Sequence, residues 1–206
     1  MSMSFPAHAG LFRLARVLAV AATVALTGCA SVYVDGNTKE VAAAQFKKPA
    51  SPVPVQVVFE FQTKGAPNAA VSNALKPQIA DVLKSSGLFA QVSDTPVASG
   101  AILSVTLNNV PLTDDAFSKG FVTGLTFGLA GSTVSDGYVC TVKYLPGGSQ
   151  QAVTKAARHA IHTSLGSGTP PAGAVKADSV DAAVRMMTKQ VLSTALNDLS
   201  QDGAFK

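Results

Sequence analysis

Along residues 53–62 apolar side chains fall on every second position. Val53, Val55, Val57, Phe59 and Phe61 alternate with Pro54, Gln56, Val58, Glu60 and Gln62. Period two places one set on a single face, which predicts a half-buried strand. The period then changes. Gly65-Ala66-Pro67-Asn68 opens a stretch where Val71, Leu75, Ile79, Val82 and Leu83 recur at helical spacing. Asn68 suits its N-cap and Gly87 its C-terminal stop, with Leu88 and Phe89 available for the apolar contact that accompanies such a stop. Pro77 lies inside this helix and predicts a kink or interruption.

Residues 89–93 suit a short edge strand. In residues 101–110, Leu103, Val105 and Leu107 face one way and Ser104 and Thr106 the other. After a long connection, residues 138–145 predict a strand, and Pro146-Gly147-Gly148-Ser149 reads as a hairpin turn. Residues 152–163 then pair back as another strand: their alanine content favours a helix, and the turn decides against it. Residues 178–200 predict a final helix. Asp178 is its expected cap, Asp181 suits its positive end, and Val184, Met187, Val191, Leu192, Ala195 and Leu199 form its apolar stripe.

This order predicts an α+β fold: a two-layer sandwich with a mostly antiparallel sheet of four to five strands and two helices on one face. A glycine-rich apolar insertion interrupts it. The expected organisation is a leader over residues 1–28, a tether over 29–52 and one domain over 53–206. The tether follows from Lys47-Lys48-Pro49-Ala50-Ser51-Pro52-Val53-Pro54, whose prolines favour extended backbone. Within it, residues 41–44 suit a helical turn.

The leader has its own pattern. Arg13 and Arg16 precede an apolar run over residues 17–26, which ends in Leu26-Thr27-Gly28-Cys29. A positive start, an apolar core and small residues before a cut describe a secretory signal. The run is about half the ~20 residues that a membrane-spanning helix needs. Leu26-Thr27-Gly28-Cys29 resembles the lipobox of bacterial lipoproteins. The resemblance implies a diacylglyceryl thioether on Cys29, cleavage before it, and acylation of the new amino terminus with a palmitate-like chain. Several acyl chains satisfy the two-signal requirement for stable anchoring. Ala30, rather than Asp, follows the cysteine. By analogy with the sorting rule of enterobacterial lipoproteins, this points to the periplasmic face of the outer membrane; the rule varies among bacteria, so the inner membrane stays open. In element order the remaining chain resembles small α/β envelope lipoproteins, such as the lipopolysaccharide-assembly lipoprotein and the N-terminal domain of the periplasmic translocation protein TolB. No motif carries that second resemblance, and it implies no functional residue.

Removing 28 of 206 residues leaves 178, suited to one domain. Arg13 and Arg16 leave with the leader, so 14 basic residues face 12 acids and the processed chain carries about +2 rather than +4. No basic run exceeds Lys47-Lys48, which argues against a nucleic-acid partner. With Cys29 committed to lipid, Cys140 has no partner in the chain, and burial is its expected fate.

Residues 111–137 connect two strands with far more chain than a hairpin needs, and such connections are usually functional or disordered. Between Lys119 and Asp136 lie 16 uncharged residues, unlike a disordered segment. Gly120, Gly124 and Gly128 recur every four residues, so a helix here would carry a smooth strip for close helix packing in a membrane. Sixteen helical residues span ~24 Å, short of the ~30 Å hydrocarbon layer. Two readings stay open: contact with a membrane or envelope partner through Phe117, Phe121, Leu125, Phe127 and Leu129, or packing onto the domain itself. A phosphate cradle lacks its Lys and Ser/Thr ending.

Catalytic chemistry is not evident. His159 and His162 could share a metal on a helix, but on a strand they point to opposite faces and read as surface imidazoles. Asp114-Asp115 reads as a solvated turn, and no serine sits in a nucleophile elbow. No metal and no cofactor beyond the covalent lipid is expected. The expected function is a lipid-anchored, non-enzymatic envelope lipoprotein that acts by binding or assembling envelope components. The alternative is a periplasm-facing carrier or sensor of an apolar ligand, with an unrecognised hydrolase as a third class.

Overall fold

The computed structural model describes residues 30–111, 133–166 and 168–205. Among them, the strands are β1 (Ser31–Val34), β2 (Pro54–Thr63), β3 (Ala66–Pro67), β4 (Gln91–Ser93), β5 (Ile102–Pro111), β6 (Thr133–Leu145), β7 (Val153–Ser164) and β8 (Val175–Ala177). Two α-helices, α1 (Ala69–Ser86) and α2 (Val180–Gln201), and a 3-10 turn at Ala43–Gln45 complete the described elements. The eight strands form one sheet in the order β3-β2-β5-β6-β7-β1-β8, with β4 beside β2. It does not close into a barrel. β2 runs parallel to β4 and β5, and the other pairings are antiparallel.

The fold class is therefore α+β as expected, but the sheet has eight strands rather than four or five. β3 and β8 are two and three residues long, too short for a periodic pattern to register. Alternation along the long strands sorts two faces. Val55 and Phe61 on β2, Leu103, Val105 and Leu107 on β5, and Tyr138, Cys140, Val142 and Tyr144 on β6 are buried against α1 and α2. Cys140 is buried as expected, and burial pushes its thiol up to about 12. The opposite, outer face carries Ser104, Thr106, Thr141 and other short side chains, largely half-buried.

α1 begins and ends where its caps dictate. The Asn68 side chain accepts the Val71 N–H at 3.2 Å, and Gly87 takes φ 66°. Pro77 does not interrupt the helix. Both Pro77 and Asn73, whose carbonyl lacks the usual N–H partner, are exposed, so water can satisfy that oxygen without a break. α2 is capped by Ser179, not Asp178: its hydroxyl accepts the Ala182 N–H at 3.0 Å. Its buried face holds the expected Met187, Val191, Leu192, Ala195 and Leu199, with Leu196 in addition. β6 starts at Thr133, five residues before the predicted Tyr138, so the connection from β5 is shorter than expected.

The largest correction concerns residues 29–52. Their described part, residues 30–52, packs on the domain instead of standing off it as a tether would. Ser31–Val34 is a sheet strand flanked by β7 and β8, and Val34 is completely buried. Downstream, the chain straps itself along the helices. Val41 N–H donates to Ser193 Oγ at 2.9 Å, Lys47 N–H to Ser200 Oγ at 3.1 Å, and Lys189 meets Glu40 at 3.0 Å. Phe46 is buried, and the Lys48 ammonium donates to the Ser86 carbonyl at the negative end of α1. These contacts fix residues 40–48 to the two helices.

Candidate functional site

Cys29 lies outside the described residues. So do Phe117, Gly120, Phe121, Gly124, Leu125, Phe127, Gly128 and Leu129, together with Asp114 and Asp115. What the structure describes is the ground around them, beginning with the histidines of β7.

His159 and His162 point to opposite faces, as strand geometry requires, but neither is a surface imidazole. They are 3% and 0% exposed. On the helix face, Ala160 N–H donates to His159 Nδ1 at 2.8 Å, so Nε2 carries the proton that meets Gln190 Oε1 at 2.7 Å. Burial depresses the basicity of His159; the Gln190 oxygen, the Ala160 carbonyl 3.2 Å from Nδ1 and the nearby Asp35 only partly oppose this.

On the outer face, register brings three strands to one point. Tyr33 and Ser135 both lie opposite His162, and Asp35 follows two residues after Tyr33. His162 Nδ1 lies 2.7 Å from Ser135 Oγ, and Nε2 lies 3.4 Å from Asp35 Oδ2. Asp35 also accepts the Asn37 N–H at 2.8 Å, and its own N–H donates to Ala160 O at 3.1 Å. Burial raises the Asp35 pKa, but the bonds from His162 and Asn37 and the charges of His162 and His159 outweigh it, so the carboxyl sits below 3.8. A carboxylate accepts, so His162 Nε2 must donate. In the neutral imidazole Nδ1 then accepts a hydrogen bond from the Ser135 hydroxyl.

Serine, histidine and aspartate in series invite comparison with a hydrolase relay. The surroundings do not support it. Such a ring must also pass the serine proton on to a substrate's leaving group, and this ring has no exposed surface from which to do so. The series is a clasp joining β1, β7 and β6. It was not foreseen because Asp35 and Ser135 lie 127 and 27 residues from His162. The β7–β8 connection touches the outer face on either side of it: Thr133 Oγ1 donates to Thr169 O at 3.3 Å, and Gly36 packs so closely on Gly173 that a β-carbon there would overlap the Gly173 carbonyl.

Two open grooves are relevant to ligand binding. One, about 550 Å³, runs between α1 and the β2–β4 edge. Val57, Phe59, Ile79 and Val92 wall it, and a Lys76–Asp94 ion pair of 3.4 Å lies at its rim. The other, about 540 Å³, lies between Ala30–Val32 and the start of α2. Among the described residues, no group of three or more His, Cys, Asp or Glu could hold a metal ion, and no helix is long and apolar enough to cross a membrane.

No family model and no curated protein matches the chain. Among solved structures, it is similar to the PelC dodecamer from Paraburkholderia phytofirmans, at 14% identity and TM-score 0.34, over 82% of this chain and 98% of that one. A Helicobacter pylori protein assigned as a neuraminyllactose-binding hemagglutinin homolog matches at 12% identity and TM-score 0.35, over 77% and 87%. A Caulobacter crescentus protein assigned as a lipoprotein matches at 12% and 0.28, over 71% and 84%. At these scores none of them carries a functional argument.

Proposed function

We propose that this chain is a lipid-anchored, non-enzymatic lipoprotein of the bacterial envelope, acting on the periplasmic face of the outer membrane by binding or assembling envelope components. One observation carries the reading: Arg13, Arg16, the apolar run and Leu26-Thr27-Gly28-Cys29 occur in the order and lengths of a lipoprotein signal. The inaccessible ring of His162 supports a binding rather than a catalytic role. β5 ends and β6 begins at the end of the sheet where β1 starts. The apolar connection that bears Phe117, Phe121, Leu125, Phe127 and Leu129 therefore leaves and returns on the anchor side, which favours membrane or partner contact for it.

The test is fractionation of cells producing the full chain or Cys29→Ser, with an alkyne fatty acid supplied. The native chain is expected in the membrane pellet with label, and Cys29→Ser without label and released from the membrane. Equal membrane retention without label in both would overturn the proposal. A second reading, a carrier of an apolar ligand, draws on the groove beneath α1. It predicts lipid co-purifying with protein that lacks its own anchor.

A further inference from the structure

We propose that the end of the sheet where β1 begins is seated directly on lipid headgroups, through Val134, Leu165 and Val180. This rests on the anchor reading above and adds an orientation to it. Ser164 lies opposite both Ser31 and Thr133, so β1 starts, β7 ends and β6 starts at one level. Ala177, opposite Val32, brings β8 to the same end, and α2 begins three residues later. Ala30, Val32 and Val180 line one groove there.

Five large apolar side chains are exposed among the described residues, and three belong to this end: Val134 at 56%, Leu165 at 44% and Val180 at 62%. Val134 precedes the buried clasp by one residue, Leu165 follows the last residue of β7, and Val180 opens α2. Isolated exposed valines are ordinary on a protein surface. Their grouping around the anchor exit is what needs a cause.

Reach supplies it. Ser31 is two residues on from Cys29, and extended chain covers at most ~3.6 Å per residue, so β1 starts within roughly 7 Å of the acylated cysteine. The polar layer of a bilayer leaflet is about 5–7 Å thick. Among the described residues no tether lifts the domain clear, so the anchor holds this end of the sheet against the leaflet. The occupant of this surface is the lipid itself.

The test uses full-length, lipidated protein in phosphatidylethanolamine/phosphatidylglycerol vesicles that contain brominated acyl chains. Single substitutions Val134→Cys, Leu165→Cys, Val180→Cys and Val58→Cys each carry a small fluorophore; Cys140, 1% exposed, stays unlabelled in the native state. Val58 is the control. It is 50% exposed, and through Ser104 it is level with Lys143, ten residues along β6 from Thr133, about 33 Å at strand rise. Bromolipid quenching at positions 134, 165 and 180 should exceed that at 58 at least twofold. Equal quenching at all four positions, or none at the three in protein that sediments with the vesicles, would overturn the inference and leave the anchor standing. Protein left in the supernatant with an unmodified Cys29 would overturn the anchor reading itself, and this inference with it.

Discussion

Val34→Ala separates a tether from a core strand more cleanly than any other single change. Val34 has no exposed surface and sits between Ile161 of β7 and Val175 of β8. The truncation removes two methyl groups. At ~0.8 kcal/mol per buried methylene, transfer alone costs about 1.6 kcal/mol. β1 is held between two strands and backed by α2, so the site collapses only in part, and the cavity raises the loss to about 2–3 kcal/mol. In a domain of this size 1 kcal/mol moves Tm by about 2–4 °C, so a fall of about 4–12 °C is expected. Val175→Ala is the matched control. It is the direct cross-strand partner and is 49% exposed, and surface truncations usually stay within about 0.5 kcal/mol. Urea and thermal unfolding followed by far-ultraviolet circular dichroism measure both. If Val34→Ala cost no more than Val175→Ala, β1 would not belong to the core, and the reach argument for the membrane-facing end would fall with it.

Other outcomes follow from the buried polar groups. His162→Ala leaves Asp35, 4% exposed, without its ring partner and should cost about 3 kcal/mol, the low end for breaking a buried pair; adding Asp35→Asn removes the charge and should recover part of it in urea melts. Because burial holds the His159 pKa below 6.5, the unfolded chain takes up a proton that the folded chain refuses as pH drops below that value. Stability should therefore decline from about pH 6.5 downward, and His159→Gln should flatten the decline; parallel slopes would refute the assignment. Asp35 acts in the same direction at lower pH, since its carboxylate, held below 3.8, adds stability that disappears only as pH falls below that value. Cys140, pushed up to about 12 and 1% exposed, should resist maleimide at pH 7.5 in the folded protein and react fully in 8 M urea, as read by intact mass.

Local signals carried much of the fold. Alternation along β2 and β5, the Asn68 and Gly87 caps and the Pro146–Ser149 turn each specify structure within a few residues, and the corresponding elements formed within a residue or two of their predicted ends. β1 was legible only faintly: Val32 and Val34 alternate with Ser31, Tyr33 and Asp35, but four residues give little periodicity and the proline run downstream suggested a spacer. Its place is set by β7, some 130 residues away in sequence. The clasp shares that origin. Asp35, Ser135 and His162 have no common spacing, and only the register of β1, β7 and β6 brings them together. At α2, Asp178 and Ser179 are both good caps by residue type, and the helix is capped by the second.

The most direct measurement is the mass of the amino-terminal peptide from protein extracted from bacterial membranes after expression of the full chain. A peptide that starts at Cys29 and carries a diacylglyceryl group with an acylated amine is the expected result. A free Cys29 thiol, or residues of the leader still attached, would contradict the anchor and the orientation built on it.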